Sequence, residues 1–190
     1  HRRPEALAIE RARGVDQGRC EQVQRLTRPL GADHSGGPIP RHPQLAAARP
    51  LPESILRLMK MLPPSDGMDA LRTLTSALGH YDPDAHDNSP RASYRKAVRL
   101  TGQMASLVAT WGRLQAGGGP IAPDPALGHA ANFLYMLLGE RPDAVAVRAM
   151  DVALVLHADH ELNASTFAAR VAAATLTDIH SAVVAGSGTL

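Results

Sequence analysis

The chain is short of several things, and each shortage excludes something. It has a single cysteine, Cys20, in 190 residues. No intramolecular disulfide can form, and such usage fits a reducing compartment, so the expected location is the cytoplasm. Aromatic residues make up 3% of the chain: two Phe, three Tyr and one Trp. That is too few to build base-stacking platforms for nucleic acid. No apolar run approaches the ~20 residues needed to cross a bilayer, and the first residues lack the apolar core of a secretory signal. Charge of one sign is scarce too, with 20 Lys+Arg against 18 Asp+Glu and a formal charge of +2. Residues 1–50 hold nine arginines and five acids, while residues 51–190 hold eleven basic residues and thirteen acids. The folded part is thus expected to carry no basic face, and neither nucleic acid nor a membrane is expected as a partner.

Missing patterns narrow the fold. No segment sustains the period-two alternation of a half-buried strand. There is no internal repeat, no glycine-rich dinucleotide fingerprint, no phosphate-binding loop and no nucleophile elbow. Alanine and leucine dominate instead, and both favour helix. The expected class is all-α, with about six helices.

Residues 1–50 are rich in Arg, Pro and Gly and contain neither lysine nor an aromatic residue. Pro38, Pro40, Pro43 and Pro50 argue against a helix after Arg28. This segment reads as a flexible leader, or as sequence that is not native, since a GC-rich gene read out of frame yields such a bias. The texture changes at Leu51. Ile55, Leu58, Met59 and Leu62 have helical spacing and are stopped by Pro63 and Pro64. Ser65 or Asp66 caps the next helix, whose stripe is Met68, Leu71, Leu74, Thr75 and Leu78. Asp82, Asp84, His86 and Asp87 follow in a loop that lacks the glycine and distal glutamate of a calcium site, so a solvated acidic loop is expected. A long helix over 92–116 carries two apolar faces, which implies burial on two sides. Shorter helices are expected around Ala130–Leu138 and Asp143–Val155, and a last one over Thr166–Val184.

One stretch concentrates the chemistry. The apolar run from Met150 ends in His157, Asp159, His160, Glu161, Asn163 and Ser165. On a helix His157 and His160 face the same way, and Asn163 extends the row if the helix persists. Three readings compete. Histidines suit the negative end of a helix, and Asn163 or Ser165 suits the start of the next one. A metal site needs three or four ligands; His157-Ala158-Asp159-His160 has Val155 where a further histidine would be required, and there is no HExxH. Finally, a junction between helices can hold a histidine beside backbone N–H groups that favour a carboxylate, such as that of a keto acid.

The run Leu156-His-Ala-Asp-His-Glu-Leu-Asn-Ala-Ser-Thr-Phe167 closely resembles the citrate synthase family, citrate and 2-methylcitrate synthases of bacteria included. So do Asp66–Gly79 and Asn132-Phe-Leu-Tyr-Met-Leu-Leu-Gly139-Glu-Arg-Pro142. The resemblance covers Leu51 to Ala185. It implies an incomplete large α-domain of that fold at residues 51–190, an N-terminal piece lacking the C-terminal half. It implies condensation of acetyl-CoA with oxaloacetate and hydrolysis of the thioester to citrate and CoA. No cofactor is implied, acetyl-CoA being a substrate, and no metal.

By position in the motif, the resemblance makes His160 the oxaloacetate-binding histidine. It makes Asn163 and Ser165 polar neighbours of the active site and His157 a supporting residue. It implies a homodimer formed through helices 67–79 and 92–116. The enol-stabilising histidine, in a GPLHGGAN-type loop, and the catalytic aspartate would follow Leu190, so this chain alone is expected to be inactive. His180 stands where the family commonly has tyrosine, and no catalytic role is expected of it. The rival expectation is a helical dimerisation module, or the product of a truncated gene, with no catalysis of its own.

Overall fold

The computed structural model of the protein describes residues 42–158 and 161–189. The first 41 residues, Asp159, His160 and Leu190 lie outside the described residues. Most of the leader and the role expected of His160 therefore fall there. Among the described residues there are eight α-helices, one 3-10 turn and no strand, in agreement with the all-α reading. None of these helices is long and apolar enough to cross a membrane.

The first helix, α1 (His42–Ala48), lies in the segment that the sequence pattern assigns to the leader. Pro43 does not prevent it, because the first N–H groups of a helix have no intrahelical partner to lose. Ala46 and Arg49 are buried, so packing begins ahead of Leu51. The helix crosses the long helix α4 (Pro90–Gln115) at Gly102. A β-carbon at Gly102 would sit 3.1 Å from both Ala48 and the Leu45 carbonyl, so glycine permits the crossing.

Next come α2 (Glu53–Met61) and α3 (Gly67–Leu78). Leu62 is extended, with ψ 137°, as a residue before proline must be, and this ends α2. Of the two candidate caps, Asp66 starts α3, its carboxylate accepting from the Met68 amide at 2.8 Å. The α-helix ends at Leu78, and the chain continues into a 3-10 turn, η1 (Gly79–Tyr81). Ser89 caps α4 and Pro90 is its first residue, two positions ahead of the expected start. Proline there is pre-set for helix and gives up no hydrogen bond. Ile55 and Met59 of α2, Ala70, Leu74 and Leu78 of α3, and Leu107 and Trp111 of α4 form one buried cluster.

Two further helices, α5 (His129–Leu138) and α6 (Ala144–Leu156), follow. The expected final helix over 166–184 is in fact two, α7 (Ala164–Ala174) and α8 (Ile179–Ser187). Leu176 between them has φ 64°, a left-handed geometry that no helix continues through. Asp178 then caps α8 by accepting from the Ser181 amide at 3.0 Å. The two helices fold back on each other, and α8 also packs on α3 and α4. Gly186 is the point of closest approach: a β-carbon there would lie 3.1 Å from the Ser165 carbonyl oxygen.

Candidate functional site

The ionisable stretch is the junction between α6 and α7. Asp143 starts α6, accepting from the Ala146 amide at 2.8 Å. His157 ends it: its amide bonds to the Ala153 carbonyl at 3.1 Å, and its Nδ1 lies 2.7 Å from the same oxygen. In the Nδ1–H tautomer the ring donates a second hydrogen bond to that carbonyl, which the His157 amide already engages, and this fixes the ring at the helix end. Glu161 has φ 60°, so the helix does not persist across the junction. His157 and Asn163 therefore do not share one helical face, the first ending α6 and the second preceding α7. Asn163 instead caps α7, its Oδ1 accepting from the Thr166 amide at 2.8 Å and from Ser165 Oγ at 2.9 Å. Ser165 is half-buried, and its backbone carbonyl lies against Gly186 at the end of α8. Asn163 and Ser165 thus stand together at the start of one helix, beside the last turn of another. The backbone N–H groups there and the positive end of the α7 dipole suit an anionic group.

The surroundings of this junction are apolar. Leu156 is 69% exposed, Leu162 60% and Phe167 59%, and no residue of α6 or α7 is fully buried. Polar groups capable of fixing a ligand, set in an apolar rim, are what a binding wall needs.

A second polar cluster was not legible as such. The expected solvated loop is a packed ion-pair network. Arg99 of α4 grips both Asp82 and Asp84, with Nη2 2.6 Å from Asp84 Oδ2 and Nε 3.2 Å from Asp82 Oδ2. Arg95, one turn earlier, holds Asp84 with Nε at 2.9 Å. Hydrogen bonds from Arg95 and Arg99 hold the Asp84 carboxyl well below the usual carboxylate range. Buried Lys96 donates to the Asp87 carbonyl at 2.7 Å and to Asn88 Oδ1 at 3.3 Å. The signal in the sequence was Arg95 and Arg99, spaced to share a face and matched in number by Asp82 and Asp84. His180 of α8 is buried behind this network, its Nε2 3.6 Å from Asp82 Oδ2 and its Nδ1 3.7 Å from Asp178 Oδ1. Burial pushes the His180 imidazole down, against the pull of Asp82 and Asp178. Among the described residues no group of three or more His, Cys, Asp or Glu side chains is placed to hold a metal ion.

An open groove of about 340 Å³ lies between α3 and α4, lined mostly by Met68, Leu71, Leu107, Val108 and Trp111. None of the residues singled out at the α6–α7 junction lines it. Trp111 Nε1 is buried without a partner among the described residues.

Residues 41–190 match a family model described as citrate synthase, C-terminal domain. The chain belongs to the citrate synthase family. The model's description differs in wording from the expected N-terminal piece of the large domain, while the family is the same. A citrate synthase of Haloferax volcanii is 47% identical over 152 residues, covering 77% of this chain and 40% of that protein. Citrate synthase 2 of Bacillus subtilis is 47% identical over 149 residues, with 77% and 40% covered. The chain thus spans about 40% of the length of these citrate synthases. The crystal structure of citrate synthase from Pyrobaculum aerophilum superposes with a TM-score of 0.76 at 31% identity, over 92% of this chain and 47% of that one. The helical fold is therefore that of citrate synthases.

Proposed function

We propose that this chain supplies one wall of a citrate synthase-type active site, at the α6–α7 junction. The reaction is the joining of the acetyl-CoA methyl carbon to the carbonyl carbon of oxaloacetate, with water releasing citrate and CoA. In this reading His160 binds oxaloacetate. Asn163 and Ser165 shape the adjoining surface through the cap of α7, and His157 holds the end of α6. No cofactor or metal is assigned, and the location is cytoplasmic. The observation that carries the reading is the Leu156–Phe167 motif, set at a helix N-terminus in a chain with 47% identical citrate synthases as relatives.

In this reading the catalytic aspartate and the enol-stabilising histidine are supplied from outside these 190 residues, and the 190 residues by themselves are expected to give no turnover. A coupled assay of CoA release from acetyl-CoA and oxaloacetate tests this, and turnover near a normal enzyme rate refutes it. Binding is tested separately. Oxaloacetate should raise the melting temperature, since a ligand of the folded state stabilises by mass action. His160→Ala should remove that rise. No rise in the parent chain would favour a module without a substrate site.

The groove between α3 and α4 supports a homodimer through helices 67–79 and 92–116. A partner helix there would cover Val108, which is 42% exposed, and the apolar groove floor. A second reading within the family has support as well. A 2-methylcitrate synthase of Mycobacterium tuberculosis is 41% identical over 162 residues, covering 81% of this chain and 41% of that protein. Preference for propionyl-CoA over acetyl-CoA, in an assembly with activity, would select it.

A further inference from the structure

No residue of the α7–α8 hairpin belongs to the buried cluster of α2, α3 and α4. Helix α7 has no fully buried residue, and α8 buries His180, Ala182 and Gly186. With so little apolar area at stake, the hairpin can come away at a lower free energy than the cluster can unfold. Two side chains clasp it to the segment from Gly79 to Asn88. Asn88 Nδ2 donates at 3.2 Å to the carbonyl of Leu176, in the turn between the two helices, while its Oδ1 accepts from Lys96 at 3.3 Å. His180, 2% exposed, packs on Gly79, where a β-carbon would sit 3.4 Å from the ring's Cγ.

The pocket around His180 fits a neutral ring and not a charged one. Its Nε2 is 3.6 Å from Asp82 Oδ2 and its Nδ1 3.7 Å from Asp178 Oδ1, both beyond hydrogen-bond distance. Those two oxygens are already engaged. Asp82 Oδ2 accepts from Arg99 Nε at 3.2 Å, and Asp178 Oδ1 from the Ser181 amide at 3.0 Å. Nδ1 is buried with no hydrogen-bond partner among the described residues. A neutral ring leaves one lone pair without a donor, whereas an imidazolium would bury two N–H groups out of reach of either carboxylate. Lys96 and Arg99 of α4 face the ring with positive charge, and Asp82 and Asp178 with negative. Asp69 and Arg72 of α3 pair with each other at the surface, and Arg170 is the single charged residue of α7.

We propose that His180 is a proton-sensitive latch: neutral, it seats the α7–α8 hairpin against Gly79 and Asp82, and acid releases the hairpin while the α2–α4 cluster stays folded. In the released hairpin the imidazole meets water, regains its ordinary proton affinity and takes up a proton that the seated ring refuses. Burial holds the seated ring below 6.5, so release sets in as the pH falls through that value. Asp84, Asp87 and Asp178 are held below the usual carboxylate range and keep their charge there. The start of α7 carries Asn163 and Ser165, so the latch also governs how firmly those two side chains are placed.

Hydrogen exchange of the 190-residue chain, followed amide by amide from about pH 7.5 to about pH 5, makes the test. At every pH the amides of Ala172 and Ala182 should open more readily than those of Leu74 and Leu107. Their opening constant, with intrinsic exchange divided out, should rise toward about tenfold per pH unit below about 6.5. His180→Gln should make it independent of pH, which separates His180 from His129, the other imidazole that burial pushes down. If that variant does not fold, Asn88→Ala carries the comparison. Opening should then increase about two- to tenfold, the worth of one hydrogen bond, with the pH slope unchanged. Equal opening of hairpin and cluster, a hairpin indifferent to pH, the parent's slope in His180→Gln, or unchanged opening in Asn88→Ala would each overturn the latch.

Discussion

Replacing Leu107 by alanine, beside the same change at Val108, separates the two faces of α4. Leu107 is fully buried in the cluster with Ile55, Met59, Leu74, Leu78 and Trp111, whereas Val108 is 42% exposed at the rim of the α3–α4 groove. Leu107→Ala leaves a cavity that three helices cannot close without breaking other contacts. Its cost is about 3 kcal/mol, within the ~2–5 kcal/mol known for such truncations. For a domain of this size that lowers the melting temperature by about 6–12 °C. Val108→Ala removes fewer atoms, part of them already in water, and should cost under ~1 kcal/mol in the monomer. If the groove is the dimer seam, the Val108 effect grows with protein concentration, because association adds to apparent stability. Leu107→Ala should destabilise at every concentration, because Leu107 is buried within the monomer even though it also floors the groove. Thermal melts over a hundredfold concentration range make the comparison. Equal losses from the two substitutions at low concentration would refute the burial assigned to α4. A Val108 effect independent of concentration would remove the groove as a dimer seam.

Other outcomes follow from the same structure. His180 is held below its ordinary value of 6.5 by burial, so the unfolded chain takes up a proton that the folded chain refuses. Stability should therefore fall as the pH drops below about 6.5 toward the folded-state value, and His180→Phe should flatten that step in a series of melts. Asn163→Ala removes the cap of α7 and the acceptor of Ser165 Oγ, at a cost of about 0.5–2 kcal/mol. Asn163→Asp should restore most of it, and a neutral Asn163→Ala in urea titration would contradict the cap. Val145 at 80% exposed, Val155 at 69% and Phe167 at 59% make α6 and α7 sticky, so gel filtration should give oligomers or aggregate, and a clean monomer would count against that.

Helix positions were legible wherever a stop or a cap was written in residue type. Pro63 ended α2, Asp66 began α3, and Asp143 began α6, because these residues act within one turn of themselves. The periodicity of α4 likewise foretold burial on more than one side. The break at Leu176 was not legible, since an alanine-rich run offers no local reason to stop. The turn there is imposed by α8 folding back on α7, with Asp178 capping the new start. Pro43 misled for the opposite reason: a proline breaks a helix only when it falls inside one.

The candidate site divides along the same line. The sequence by itself determined the family and the residues of the motif, because residue types at fixed offsets survive without coordinates. Only the tertiary structure decided how those residues are used. It ended α6 at His157, turned Asn163 from a member of a histidine row into a helix cap, and set Ser165 against Gly186 across the α7–α8 hairpin. It also turned an acidic loop into a part-buried network, because Arg95 and Arg99 reach Asp82 and Asp84 only when the loop that follows η1 lies against α4. Hydrogen bonds within one turn can be read from spacing, whereas those between elements depend on which faces meet, and that is settled by packing the whole chain.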